Sequence, residues 1–218
     1  MARCAKPLAG LQPTGVPGKT KDTSLRRHRL FNETSNLQCI ENRRKGLHSA
    51  PAIYPDRVTI VRPSTVADAD AVWKILEPTI RAGETYTLPC DLTREQALAY
   101  WYAPQHETFV AEENGEVLGT YYLRANQQGG GSHVANCGYM TAPWAEGRGV
   151  ASAMCAHSLD RARERGFRAM QFNIVISTNE VAVRLWQKFG FEIAGRLPKA
   201  FHHPTQGYVD ALVMYRQL

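Results

Sequence analysis

The sequence predicts one α/β domain with a mixed, mostly antiparallel sheet over residues 57–218, behind a disordered basic leader of residues 1–56. Three observations predict it. Short runs of strand length interchange along the chain with segments of helical period. One run, residues 169–176, is apolar almost throughout, as expected of a strand covered on both faces. A third stretch, Tyr-Met-Thr-Ala-Pro-Trp-Ala-Glu-Gly-Arg-Gly-Val-Ala over residues 139–151, reads as a strand end, a glycine-bearing turn and a helix start.

Each element has a local reason. Residues 58–62 alternate as a strand, and residues 66–80 follow with Val72, Ile75, Leu76 and Ile80 at helical spacing. Pro78 is expected to end or kink that helix early. A loop over residues 81–89 leads to a helix over 93–102 that Asp91 or Thr93 is placed to cap. Residues 108–112 and 116–123 are strands joined by a hairpin at Asn114-Gly115. After a glycine-rich turn over 127–132, residues 133–141 form the next strand. Ala151, Met154, Cys155, Ser158, Leu159 and Ala162 make one face of a helix that Gly166 ends. In the 169–176 strand, Met170, Phe172, Ile174 and Ile176 are expected on one face, and Gln171, Asn173 and Val175 on the other. Asn179 opens a helix with Ala182, Leu185, Trp186 and Phe189 as its apolar stripe, closed by Gly190. Residues 191–197 and 208–216 are the last strands.

Charge and cysteine usage exclude several classes. The net charge of +6 is unevenly spread: residues 1–57 carry 11 Lys and Arg against 4 Asp and Glu, and residues 58–218 carry 15 against 16. The domain therefore lacks the basic balance of a nucleic-acid binder. No apolar run reaches the roughly 18 residues of a membrane span, and no secretory signal opens the chain. The five cysteines are scattered without a Cys-x-x-Cys pair, which argues for reduced thiols and against a zinc site. These features place the protein in the cytoplasm. The Arg-rich leader also suits a mitochondrial address, against which its acids and early prolines weigh, and a dispensable segment is the simpler expectation. Gly18-Lys19-Thr20 imitates the end of a P-loop, but Pro13 stands where the first glycine belongs.

The turn after residue 141 carries the first chemistry. A helix start leaves four amides without partners and bears roughly half a positive charge. Gly147 and Gly149 let an anion approach that backbone closely.

The motifs Thr141-x-Pro143, Gly147-Arg148-Gly149-Val150-Ala151, Ala162-x-x-x-Gly166 and Asn179-x-x-Ala182-x-x-Leu185-Trp186-x-x-x-Gly190-Phe191 together resemble the GCN5-related N-acetyltransferase (GNAT) superfamily. The resemblance spans residues 58–218 and implies an acetyl-CoA-dependent acyltransferase with no metal. It implies a pantetheine arm along Tyr139, Met140 and Thr141, with an N–H near Met140–Thr141 steadying the oxyanion. It places the pyrophosphate on Gly147, Arg148, Gly149, Val150 and Ala151. Glu146 departs from the family's Gln or Arg; Arg148 is expected to offset it at the phosphates while Glu146 points outward. Asn179 reads as a helix cap and as a neighbour of the donor arm, and Trp186 packs against the donor or the core. Relatives often carry Glu near Asn136 and Tyr at Trp186, so the resemblance leaves Asn136 and Asn173 as the candidate catalytic and substrate-holding side chains, with water carrying the amine's proton.

Within the superfamily, the asparagines and Gly83-Glu-Thr-Tyr-Thr-Leu-Pro89 are similar to fungal acetyltransferases of proline analogues such as azetidine-2-carboxylate. That implies a small-molecule amine acceptor, an amino acid or proline analogue, with its carboxylate on Asn136 and with Tyr86 and Leu88 lining the pocket. A protein N-terminal or lysine acetyltransferase and a non-catalytic acetyl-CoA-binding domain are the alternatives. Similar proteins are often homodimers; no nucleic-acid or membrane partner is expected.

Overall fold

The structure, a computed structural model, describes residues 58–218; the leader expected over residues 1–56 lies outside the described residues. In chain order come β1 (Ile60–Pro63), α1 (Ala69–Ala82), α2 (Arg94–Trp101), β2 (Glu107–Glu113), β3 (Glu116–Ala125), β4 (Val134–Thr141), α3 (Val150–Glu164), β5 (Ala169–Ile176), α4 (Glu180–Lys188), β6 (Glu192–His203) and β7 (Gly207–Gln217). The strands form one sheet in the order β1-β2-β3-β4-β5-β7-β6. Every neighbouring pair is antiparallel except β4–β5, which is parallel.

Local chemistry sets most boundaries. Thr93 accepts the Gln96 amide and caps α2. Asn114 and Gly115 both take positive φ, 53° and 80°, the combination that turns the β2–β3 hairpin. Residues Val66–Asp68 form a single 3-10 turn before α1, and Asp68 ties that turn to β1. Its carboxylate accepts two bonds from Arg62 at 2.9 Å and the Thr65 amide at 2.7 Å. The Arg62 guanidinium holds the Asp68 carboxyl far below the usual carboxylate range.

Two expectations are corrected. Helix α1 runs through Pro78 to Ala82, where left-handed Gly83 closes it. Proline forfeits one helical hydrogen bond, and burial of Val72, Ile75, Leu76 and Ile80 on both sides of it outweighs that loss. In β5 the alternation does not persist: Phe172 pairs with Met214 and Val175 with Leu212, so Asn173 and Ile174 together oppose one residue of β7. This bulge resets the period. Val175 turns inward at 7% exposure and Ile174 outward at 43%. The last two strands also extend beyond the expected residues, to His203 and Gln217.

The sheet separates two layers. On one face, Trp101 of α2 donates its indole N–H to Thr120 of β3 at 2.9 Å, in the core. On the other, Tyr139 of β4 meets Ser158 of α3 at 2.7 Å, and its ring packs on Trp186 of α4 and Phe172 of β5. Cys137 and Cys155 are buried among these apolar groups, where burial pushes the Cys155 thiol up to about 12. No helix among the described residues is long and apolar enough to cross a membrane.

Gly138 is where the two central strands need close approach. The Tyr122 ring lies across it, so that a Cβ there would fall 2.6 Å from the ring. Tyr122 cannot retreat, because His106 stacks on it at 4.0 Å and Trp101 meets it edge-on at 5.0 Å. Gly138→Ala should therefore destabilise the domain by about 1–3 kcal/mol, read as a lower urea midpoint at unchanged slope.

Candidate active site

The site grows from the parting of β4 and β5. Only Val134–Ala169 and Ala135–Met170 pair in register; beyond them the two strands separate. Asn136 stands at the fork. Its Nδ2 donates to the Gln171 carbonyl at 2.8 Å, standing in for the ladder bond that the diverging backbones no longer make.

The β3–β4 register decides what faces the gap. Asn126 donates to the Val134 carbonyl and Ala142 to the Leu118 carbonyl, with unbroken pairing between them. Alternation then turns the backbone of Asn136, Gly138 and Met140 toward β3, and that of Cys137, Tyr139 and Thr141 toward the gap. Among the predicted donor contacts, Met140 is thus occupied by β3, and its side chain is buried. Tyr139 and Thr141 present unladdered backbone. Tyr86, from the α1–α2 loop, reaches over the gap and donates to the Tyr139 carbonyl at 2.8 Å. Burial raises the Tyr86 phenol well above its ordinary value, so it stays a donor.

The gap leads to the start of α3. Gly147 and Gly149 both have positive φ, 72° and 84°. A Cβ at either would project into open space, so conformation, not crowding by the protein, demands glycine here. The Gly149 carbonyl accepts the Ala153 amide, whereas the amides of Gly147, Gly149, Val150, Ala151 and Ser152 have no acceptor among the described residues. Converging, unpaired amides at a helix N-terminus bind an anion such as a phosphate.

The β2–β3 hairpin fixes this turn. Arg148 is paired with the buried Glu113 at 2.5 Å, and Trp144 donates to Glu116 at 3.0 Å. Thr59 donates to the same Glu113 at 2.7 Å. Arg148 was expected to offset charge at the phosphates; its guanidinium is held by Glu113, and it anchors the turn. Glu146 is exposed, as its departure from the family pattern led us to expect.

Asn179 caps α4, accepting the Ala182 amide at 3.1 Å. Trp186 is buried in the cluster with Tyr139, Phe172 and Phe191. Asn173 sits in the β5 bulge at the gap. It donates to Asn126 at 2.7 Å and accepts from Gln171 at 2.8 Å, so Asn136, Gln171, Asn173 and Asn126 form one polar bridge across the fork. The predicted Asn136 and Asn173 are brought together; Asn179 and Trp186 lie on the α4 side, with the other layer.

Three groups escaped the sequence reading. Arg124 follows Tyr122 on the α1–α2 face of β3 and pairs in register with Asn136. His106 donates from Nδ1 to the Trp101 carbonyl at 3.1 Å, because a carbonyl only accepts. Burial lowers its pKa, so it is neutral near pH 7 with its lone pair on Nε2. Glu113, the buried partner of Arg148, is the third. The ordinary period-2 alternation, carried two residues further along β3, finds Arg124; nothing local announces His106 or Glu113. Among the described residues, no group of three or more His, Cys, Asp or Glu is arranged to hold a metal.

Comparison with known proteins completes the description. The family model described as Acetyltransferase (GNAT) family matches residues 71–191. The chain is similar to a GCN5-related N-acetyltransferase from Kribbella flavida of known structure, with 46% identity and a TM-score of 0.71 over 73% of this chain and 98% of that one. It is 28% identical to N-acetyltransferase aca1 of Schizosaccharomyces pombe over 62% of this chain and 72% of that protein. It is 30% identical to L-amino acid N-acetyltransferase AaaT of Escherichia coli K12, over 52% of this chain and 69% of that protein.

The glycine turn is open to a direct test. Gly149→Ala puts a strained left-handed alanine, costing about 1–2 kcal/mol, and a methyl in the space before the free amides. Binding of coenzyme A, followed by calorimetry, should weaken at least about tenfold. Unchanged affinity would show that the turn is not the anion seat.

Proposed function

The chain belongs to the acetyltransferase (GNAT) family, and from that premise we propose that this N-acetyltransferase moves the acetyl group of acetyl-CoA to the amine of a small amino acid or proline analogue. One observation carries the reading: the unladdered backbone of Tyr139 and Thr141 runs directly to the unpaired amides of Gly147, Gly149, Val150, Ala151 and Ser152. An extended, amide-bearing arm that ends in phosphates needs just such a hydrogen-bonding edge followed by an anion seat. Gly147, Gly149, Val150 and Ala151 would hold the phosphates by backbone, while the Arg148 amide donates to the Ala145 carbonyl and its guanidinium is paired with Glu113.

The reaction needs little from the protein beyond placement. The thioester supplies an electrophilic carbonyl and a thiol of pKa about 8.5 as leaving group. The acceptor's neutral amine attacks directly, and ordering both substrates in one cleft supplies much of the rate. An N–H on the gap side of β4, from Tyr139 or Thr141, is aimed where negative charge develops on oxygen. Asn136 and Asn173 have no acid or base chemistry of their own. Their amides fix the polar bridge across the fork and order the water that takes the amine's proton. Trp186 acts through packing, holding Tyr139 and with it the strand edge.

A small acceptor is favoured by Tyr86, whose bond to the Tyr139 carbonyl draws the α1–α2 loop over the gap. Similarity to the L-amino acid N-acetyltransferase AaaT points the same way.

Thiol release from acetyl-CoA should be measured with azetidine-2-carboxylate, the common amino acids, and peptides with free N-termini or lysine side chains. Turnover with amino acids is expected; turnover with peptides alone, or with nothing despite donor binding, overturns the reading. Asn173→Ala should lower kcat about tenfold or more, the cost of one lost buried hydrogen bond in the transition state. Turnover equal to the wild type would remove Asn173 from the mechanism.

A further inference from the structure

Arg124 is a part-buried arginine with nothing to bind. Its neighbours in kind are occupied: Arg62 by Asp68 and Glu112, Arg148 by Glu113, Arg161 by Glu107, and Arg216 by the Phe189 carbonyl. Arg124 has no ion pair or hydrogen bond among the described residues, and its Nε is buried without an acceptor. Buried guanidinium donors are ordinarily satisfied, so an unmet one needs an explanation.

Its surroundings supply one. Arg124 lines a cleft of about 530 Å³ with Gln105, Ala125, Asn126, Gln127 and Gln128. None of these carries a charge, so the guanidinium is the only formal charge in the lining, and the cleft attracts an anion. Glutamine and asparagine amides around it add further donors. The register then fixes the distance to the chemistry: Arg124 stands opposite Asn136, the residue at the fork where β4 leaves β5. Both side chains lie on the face that carries Tyr122 and His106. Asn136 has already given one N–H to the Gln171 carbonyl, which weakens it as the holder of a carboxylate.

We propose that Arg124 is the specificity residue for the acceptor, its planar fork taking the carboxylate of an amino acid whose amine reaches the gap between β4 and β5. A guanidinium matches a carboxylate with two parallel N–H···O bonds, which a lysine or an amide does not reproduce. The inference rests on the acetyl-transfer reading above and narrows its substrate to molecules carrying both an amine and a carboxylate.

The experiment compares azetidine-2-carboxylate, and each amino acid of the panel, with its own carboxamide in the wild type, Arg124→Gln and Arg124→Lys. The ratio of kcat/KM for carboxylate over carboxamide should fall about 10- to 100-fold in Arg124→Gln, chiefly through a higher KM for the carboxylate. Arg124→Lys keeps the charge and should regain part of the ratio. Because the ratio is taken within one variant, a loss of folded protein cancels from it. An unchanged ratio in Arg124→Gln overturns the assignment and leaves the acetyl-transfer reading standing. A wild type that releases no thiol with any acceptor overturns that reading, and the assignment with it.

Discussion

The parting of β4 from β5 after Ala135 and Met170 is the constraint on which the rest of the site depends. A strand edge inside a sheet is normally satisfied on both sides, and leaving it open costs free energy at every unmet N–H and C=O. Here the cost is limited in three ways. Asn136 bridges the fork with its side chain, Tyr86 caps the Tyr139 carbonyl, and the β5 bulge at Asn173 lets β5 rejoin β7 on the far side. The same parting fixes the location of the anion seat. Helix α3 is the crossover from β4 to the parallel β5, so its N-terminus must lie at the end of β4 where the gap is widest. One topological decision therefore delivers both the open edge and the helix start beside it.

Electrostatics at that helix start rests on backbone more than on side chains. The Arg148 guanidinium is paired with a buried carboxylate, and Glu146 adds an exposed negative charge. The attraction left for an anion comes from oriented amides and the helix dipole, which are fixed before a ligand arrives. Pairing Arg148 with Glu113 exchanges a mobile charge for a rigid turn. The pair ties β2 to the loop before α3.

Much of this was legible in the sequence because it is local. Asn114-Gly115, the Thr93 and Asn179 caps, and the glycines after α3 and α4 each state their geometry within a few residues. The central position of β5 followed from its nearly continuous apolar run. What was misread depends on partners far along the chain. The bulge at Asn173–Ile174 cannot be seen from β5 alone, since it is defined by the count of residues on β7. The tie of Arg148 to Glu113 is equally hidden, because the two lie 35 residues apart. Arg124 was passed over because Arg-Ala-Asn looks like the onset of a loop, whereas its pairing with β4 keeps β3 extended to Ala125.

The sheet's two faces divide the labour. On the α3–α4 face, Tyr139, Phe172, Trp186 and Phe191 form a continuous aromatic cluster, and burial drives the Tyr139 phenol and Cys137 thiol far toward their neutral forms. That face offers chiefly packing, with His157 of α3 hydrogen-bonded to Tyr121. On the α1–α2 face, the same strands carry Arg124, Asn126, Asn136, Gln171 and Asn173, with neutral His106 stacked against Tyr122. Period-2 alternation makes the division unavoidable, because each residue of β4 and β5 must choose one side. Rigid aromatic packing therefore falls to one layer, and the polar side chains gather on the other, with the gap between them.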